Sequence, residues 1–221
     1  MIVLQNVTKS YTGKQKKTEV LHGISIKIQE GEFVAVMGAS GSGKTTLLNL
    51  IGGLDRIDEG TYFYDEIPVH ELGTGKLNQF RKKHIGFVFQ NYNLLDDCTI
   101  FENVELPLRL RNVKKAVRKQ KVMELLKFLQ VEQYAKKLPS QLSGGEQQRC
   151  SIARAIIAGN ELLLADEPTG ALDSQNGTEV MELLSKLNQE QGITIVMVTH
   201  DRKVADYAHR IIYIKDGTVV S

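Results

Sequence analysis

The sequence predicts an α/β fold, a largely parallel sheet with helices packed on it, and three observations predict it. Short apolar runs bounded by turn residues recur at 32–37, 162–165 and 193–198, the pattern of buried strands. Between them lie segments whose apolar residues repeat at helical spacing. The two kinds alternate along the chain, as they do where parallel strands are joined by helices.

Taken in order, residues 2–11, 20–29 and 32–37 read as strands, with Gly23, Gly31 and Gly38 as punctuation. A helix is predicted to begin at Lys44, where Leu47, Leu50, Ile51 and Leu54 fall on one face. Short strands are predicted at 61–64 and 85–89. From about Asn91 to Gly159 the pattern is helical, with Val122, Leu125, Leu126 and Leu129 on one face, and reads as an insert into the core. After Gly159 the alternation returns: an apolar run at 162–165, a helical face of Val180, Leu183, Leu184 and Leu187, a strand at 193–198, and closing strands at 210–214 and 218–220. The expectation is a single domain over 1–221. Its core and β parts lie at about 1–90 and 160–221, and its helical part at about 91–159.

Composition narrows the possibilities. Hydrophobic residues make up 42% of the 221, enough for a sizeable core. There are 28 basic against 26 acidic side chains, a net charge of +2, which argues against the strongly basic face of a nucleic-acid binder. Cys98 and Cys150 form no CxxC pattern and read as free thiols, and the histidines show no metal-ligand spacing. The N-terminal stretch alternates like a strand and lacks a signal-peptide core. Apolar runs such as 195–198 fall far short of the ~20 residues that cross a bilayer, so a membrane role would come through a partner.

Residues 38–45 read Gly-Ala-Ser-Gly-Ser-Gly-Lys-Thr, a full GxxxxGK[ST] match between a predicted strand and a predicted helix. Gly38, Gly41 and Gly43 let the backbone turn so that successive N–H groups face phosphate oxygens, and the helix N-terminus adds its positive dipole end. Lys44 supplies a mobile charge for the β- and γ-phosphates, and Thr45 a hydroxyl for Mg²⁺. Ser40, Ser42 and Thr46 complete the candidate ATP-binding set. Leu162-Leu163-Leu164-Ala165-Asp166-Glu167 is an apolar strand ending in two carboxylates. Ligands of open parallel sheets sit at strand carboxyl ends, so this pair is expected near the glycine loop. Strand alternation would point the two carboxylates apart, one toward Mg²⁺ and one toward an attacking water. Alone, the pair could equally be a solvated strand end.

From Leu142 the chain reads Leu-Ser-Gly-Gly-Glu-Gln-Gln-Arg and continues Cys-Ser-Ile-Ala-Arg-Ala. Ser143 with Glu146 three residues on is also a capping box that would start a helix. The string resembles the signature of ABC-type ATPases, and the resemblance runs from Tyr11 to Asp216-Gly217. It implies a P-loop, RecA-like core with an antiparallel β subdomain and an inserted helical subdomain. Gln90 in Phe-Val-Phe-Gln is similar to the family's Q-loop glutamine, Ala171-Leu172-Asp173 to its D-loop, His200 to its H-loop histidine, and Tyr11 to the aromatic beside adenine. By that resemblance the chain is an ATPase that pairs head to tail with a second copy. Ser143, Gly144, Gly145 and Glu146 of one copy then act on ATP held by the other, and Asp173 links the two sites. Glu167, His200 and Gln90 are the implied catalytic residues, and Thr45, Gln90 and Asp166 the implied Mg²⁺ ligands. The implied partner is an integral-membrane permease at the inner face of the cell membrane, with no nucleic acid involved.

The stretches 31–38, 47–55, 85–90 and 162–173 are similar to the subgroup of lipoprotein-release, macrolide-export and antimicrobial-peptide-resistance ATPases, and to its cell-division member. The alternative to export is mechanotransmission to an envelope process through a membrane partner. Two positions depart from the family: Ala39 stands where proline is usual, and Asp96-Asp97-Cys98-Thr99 lacks a common proline. Residues 109–121 carry seven basic side chains and no acidic one, either a solvated helix face or a surface near anionic groups.

Overall fold

Opposite faces of the central strands are buried against different layers, which is why those strands are largely apolar. The structure is a computed structural model describing residues 1–13 and 17–220. Its elements are β1 (Ile2–Thr12), β2 (Lys17–Ile28), β3 (Phe33–Met37), α1 (Lys44–Ile51), β4 (Glu59–Tyr64), β5 (Ile67–Pro68), α2 (Thr74–His84), β6 (Ile85–Phe89), α3 (Ile100–Leu110), α4 (Lys115–Phe128), α5 (Gly144–Ile156), β7 (Leu162–Asp166), α6 (Ser174–Gln191), β8 (Thr194–Val198), α7 (Arg202–Ala205), β9 (Arg210–Lys215) and β10 (Thr218–Val219).

The main sheet has the order β10-β9-β3-β8-β7-β6. Its strands are parallel except for β10, which turns back on β9. Val34, Val36, Leu162, Leu164, Val196 and Val198 face α1 and a second sheet. Phe33, Ala35, Met37, Leu163, Ala165, Ile195 and Met197 face α5 and α6. The second sheet, β2-β1-β4-β5, is antiparallel. Leu47, Leu48, Leu50 and Ile51 of α1 are buried between the sheets, each burial contributing roughly 1.5–3 kcal/mol. α1 is thus fixed along its length, and so is the loop that precedes it. Helices α3, α4 and α5 enclose a further core of Ile100, Val104, Leu108, Val122, Leu126, Leu129 and Ala153.

Three local differences from the sequence reading have physical causes. The sequence pattern shows no helix over α2 because only Leu77, Phe80 and His84 of its 11 residues are buried, too few to display a periodic face. Residues 91–99, the expected start of the helical stretch, are irregular. Tyr92 and Asn93 adopt φ of 58° and 49°, and helix begins only at Ile100, where Thr99 and Glu102 form a capping box. The basic run is partly structural: Arg111 donates to the carbonyls of Ala158, Lys82 and Lys83, and Arg118 pairs with the buried Glu105 at 2.7 Å. Among the described residues no helix is long and apolar enough to cross a membrane.

Candidate active site

Parallel register brings four strand ends level. Phe89 of β6 lies beside Asp166 of β7, Asp166 beside Val198 of β8, and Val198 beside Val36 of β3. Gln90, Glu167, His200 and the loop 38–43 therefore leave the sheet at the same edge. Tyr11, Val20, Ser40, Gly41, Gly43, Lys44, Thr45, Thr46, Glu167 and His200 line an open cleft of about 580 Å³ there.

Gly43 caps α1 at φ 103°, a left-handed conformation, and a methyl on it would lie 2.5 Å from Leu21 Cδ2. No side chain caps α1, so its first-turn N–H groups face the loop. Lys44 is buried, and its Nζ donates to the carbonyls of Gly38 and Ala39 at 2.9 and 2.8 Å. The loop is braced from behind by the turn between β9 and β10: the Gly217 N–H donates to Ser42 O at 3.2 Å, and the His22 N–H to Gly217 O at 2.8 Å. Ser42 Oγ is buried with no hydrogen-bond partner among the described residues.

Thr45 Oγ1 donates to Asp166 Oδ1 at 3.4 Å. The two carboxylates diverge, but not by strand alternation as expected. β7 ends at Asp166, and Glu167 turns away through a left-handed backbone, φ 48°, with its N–H on Val198 O at 2.9 Å. This conformation costs a non-glycine residue on the order of 1–3 kcal/mol, and such strain gathers where geometry serves chemistry. His200 Nδ1 lies 2.7 Å from Glu167 Oε2. A methyl on Gly170 would fall 2.8 Å from Gln90 Nε2 and 3.3 Å from Glu167 Oε2, so these two side chains converge over that glycine. Tyr11 reaches the cleft beside Thr46, its hydroxyl donating to Asp55 Oδ2 at 2.9 Å and its ring 5.1 Å from Lys9 Nζ.

Burial, and then the charge of Glu167, push the Asp166 carboxyl above its ordinary range; Thr45 and Lys44 act in the opposite direction. The folded protein thus holds this proton more tightly than the unfolded chain. Stability falls as pH rises from the ordinary carboxylate value through the raised one, and stays reduced above it. Asp166→Asn is therefore expected to raise the Tm of the nucleotide-free protein at neutral pH, by about 2–4 °C for each kcal/mol regained. The gain should vanish near pH 4. Calorimetric melts across pH would show it; an unchanged or lower Tm at neutral pH contradicts the assignment.

Ser143, Gly144, Gly145, Glu146 and Asp173 lie outside the cleft lining. Ser143 caps α5: Glu146 Oε2 accepts from the Ser143 N–H at 2.7 Å, and Ser143 Oγ from the Glu146 N–H at 3.4 Å, the capping box read from sequence. Asp173 caps α6 through the Asn176 N–H at 2.9 Å and Asn176 Nδ2 at 2.7 Å. Asn176 also touches the signature turn, where a methyl on Gly145 would lie 2.2 Å from its Oδ1. Sequence reasoning missed Asn176, Gly170 and Val20. Their roles arise from contacts across long separations, and only the family resemblance at neighbouring positions could have drawn attention to them.

A parallel sheet that carries a GxxxxGKT loop and a strand-end Asp-Glu pair on one edge defines the class of P-loop nucleotide hydrolases. The sequence profile described as ABC transporter matches residues 21–170, and the chain belongs to that family as an ABC-type ATPase. It is 48% identical over 223 residues to the uncharacterized ABC transporter ATP-binding protein MJ0796 of Methanocaldococcus jannaschii, covering 99% of this chain and 95% of that one. It is 45% identical over 214 residues to the bacitracin export ATP-binding protein BceA of Halalkalibacterium halodurans, covering 97% and 85%. It is 48% identical over 221 residues to the macrolide export ATP-binding/permease protein MacB of Pasteurella multocida, covering all of this chain but 34% of that one. MJ0796 has been solved as a dimer, with a TM-score of 0.92 at 47% identity over 100% of this chain and 97% of that one. It has also been solved in a dimeric post-hydrolysis state bound to ADP and Pi, with a TM-score of 0.91 at 46% identity over 100% and 97%. The family, the subgroup and the fold expected from the sequence are borne out.

Proposed function

We propose that two copies of this chain close head to tail over two ATP molecules, and that their closing and reopening drive a separate membrane permease in export. The observation that carries this reading is the position of the signature turn. Ser143, Gly144 and Gly145 open a capped helix with N–H groups suited to phosphate, yet they lie away from the chain's own cleft. The dimeric MJ0796 structures support the pairing, and the names of MacB and BceA support export of a drug-like or peptide substrate. We take 91–159 as a helical subdomain. An apolar groove of about 390 Å³ between it and the core, lined by Phe87, Phe89, Leu106, Pro107 and Leu110, suits the permease. The chain would then work at the inner face of the membrane without entering it.

Within each closed site the loop 38–46 cradles the phosphates, Lys44 neutralises the β- and γ-oxygens, and Tyr11 faces the base. Glu167 orients the attacking water and takes its proton. His200, in contact with Glu167, holds the γ-phosphate, and Gln90 reports its presence toward the permease. Asp173, capping α6 beside the signature turn, ties the two sites together. The oxygen donors of Thr45, Asp166 and Gln90 suit Mg²⁺, which takes few protein ligands, and the burial of Asp166 beside the charge of Glu167 favours a cation there. When bound, Mg²⁺ would supply charge stabilisation on the phosphates.

Trans-complementation tests the arrangement. Lys44→Ala and Ser143→Ala are each expected to be inactive alone. Mixed in equal amounts, random pairing yields one intact composite site in half of the dimers, restoring up to about a quarter of wild-type turnover. No recovery on mixing, with both variants folded, sinks the head-to-tail reading.

A further inference from the structure

We propose that Gln148 is a positioning residue for ATP hydrolysis, fastening the Gln90 and Glu167 segments to the helix that begins with the signature turn. This rests on the reading of the site given above. Gln148 lies inside α5 and is fully buried. Its Nε2 donates to Pro168 O at 2.5 Å and Phe89 O at 3.4 Å. Pro168 follows Glu167 and Phe89 precedes Gln90, so one amide spans the exits of two neighbouring strands. A primary amide has two N–H groups for these two carbonyls, and no other uncharged side chain of similar size offers both from one atom.

The orientation of the amide supports the role. Gln148 Oε1 is buried without a hydrogen-bond partner among the described residues. Turning the amide over would set that oxygen against two carbonyl oxygens. The side chain is therefore held in the orientation in which its two N–H groups serve the two carbonyls. The Glu167 backbone is left-handed and needs its surroundings to hold it.

The same helix fixes the rest of the Gln90 segment. Ser151 Oγ donates to Tyr92 O at 2.9 Å, and Arg154 donates to Tyr92 O at 2.9 Å and Asn93 O at 2.5 Å. At its start, Gly144 packs so closely on the Tyr92 hydroxyl that a methyl there would lie 2.6 Å from it. Gln148 stands five residues after Ser143, roughly 7–8 Å along the helix axis. A small shift of the signature turn as it meets the partner's phosphate is carried by a rigid rod to the peptides flanking Glu167 and Gln90.

The test is a comparison of Gln148→Met, close in volume and without donors, with Gln148→Asn, too short to reach both carbonyls. Each is expected to lower kcat roughly 10- to 100-fold, the scale of lost catalytic positioning, while ATP affinity by calorimetry stays within about twofold because Gln148 does not line the cleft. In a Gln90→Ala background the further loss from Gln148→Met should be smaller, because the part transmitted through Gln90 is already gone. A purely structural glutamine would give a kcat loss that tracks the fall in Tm and persists in full beside Gln90→Ala, overturning the proposal. Full kcat in folded Gln148→Met overturns it too. If Gln148→Met does not fold, the same readouts on Gln148→Asn decide. A wild-type chain without ATPase activity would overturn the functional reading and this inference with it, whereas an active wild type with indifferent Gln148 variants overturns this inference alone.

Discussion

Glu167→Gln is expected to lower ATP turnover by roughly 10³-fold or more while leaving ATP binding close to wild type, as loss of a general base alone is worth about 10²–10⁴. The amide preserves size and can still accept a hydrogen bond, but it cannot take a proton from water. The left-handed backbone at Glu167, its N–H on Val198 and the Gly170 N–H on its carbonyl at 3.0 Å are all main-chain features, so the substitution leaves the segment in place. It also removes the carboxylate charge that raises Asp166. ATP bound but not hydrolysed keeps both composite sites filled, so the variant should accumulate as a dimer in ATP and stay monomeric in ADP. Light scattering reads both. A variant that remains monomeric in ATP at high concentration counts against the sandwich, and one that retains turnover removes Glu167 from the chemistry.

Lys44→Ala is expected to weaken ATP binding about 100-fold, the scale of a lost charge-assisted contact of a few kcal/mol. The buried ammonium spans the loop to the carbonyls of Gly38 and Ala39, so removal has two effects. In the proposed complex the phosphates would lose a cation, and two loop carbonyls lose their donor. Measuring ATP and AMP separates the two. A lost charge for the β- and γ-phosphates leaves AMP affinity unchanged, whereas a collapsed loop lowers both alike. Unchanged ATP affinity by calorimetry rules the role out.

Much of this site could be read from the chain because its parts are contiguous. Loop 38–45 declares itself by glycine spacing between a strand and a helix, and Ser143 with Glu146 declares a helix start whatever else it does. The strands β3, β7 and β8 are largely apolar because both faces are covered, which makes them visible without alternation. What escaped the sequence depends on distant contacts or on backbone geometry. Helix α2 shows too little apolar surface to reveal its period. The direction of Glu167 follows from a positive φ beyond the strand end, which no side-chain pattern encodes. Asn176 and Gln148 look like ordinary helix-surface amides in sequence. Only packing turns one toward Gly145 and buries the other between two strand exits. Tyr11 drew attention through family resemblance alone, and its hydroxyl is occupied by Asp55.

The hairpin behind the glycine loop sets the order in which this molecule can be completed. Ser42 is tied to Gly217, and β3 is flanked by β8 and β9, which emerge from the ribosome more than 150 residues after it. A nascent chain can therefore form the antiparallel sheet early but has no fastening for the residues that would grip a triphosphate until the β9–β10 hairpin has emerged. Nucleotide is consequently barred from acting as a template for early folding and can stabilise only chains that already include that hairpin.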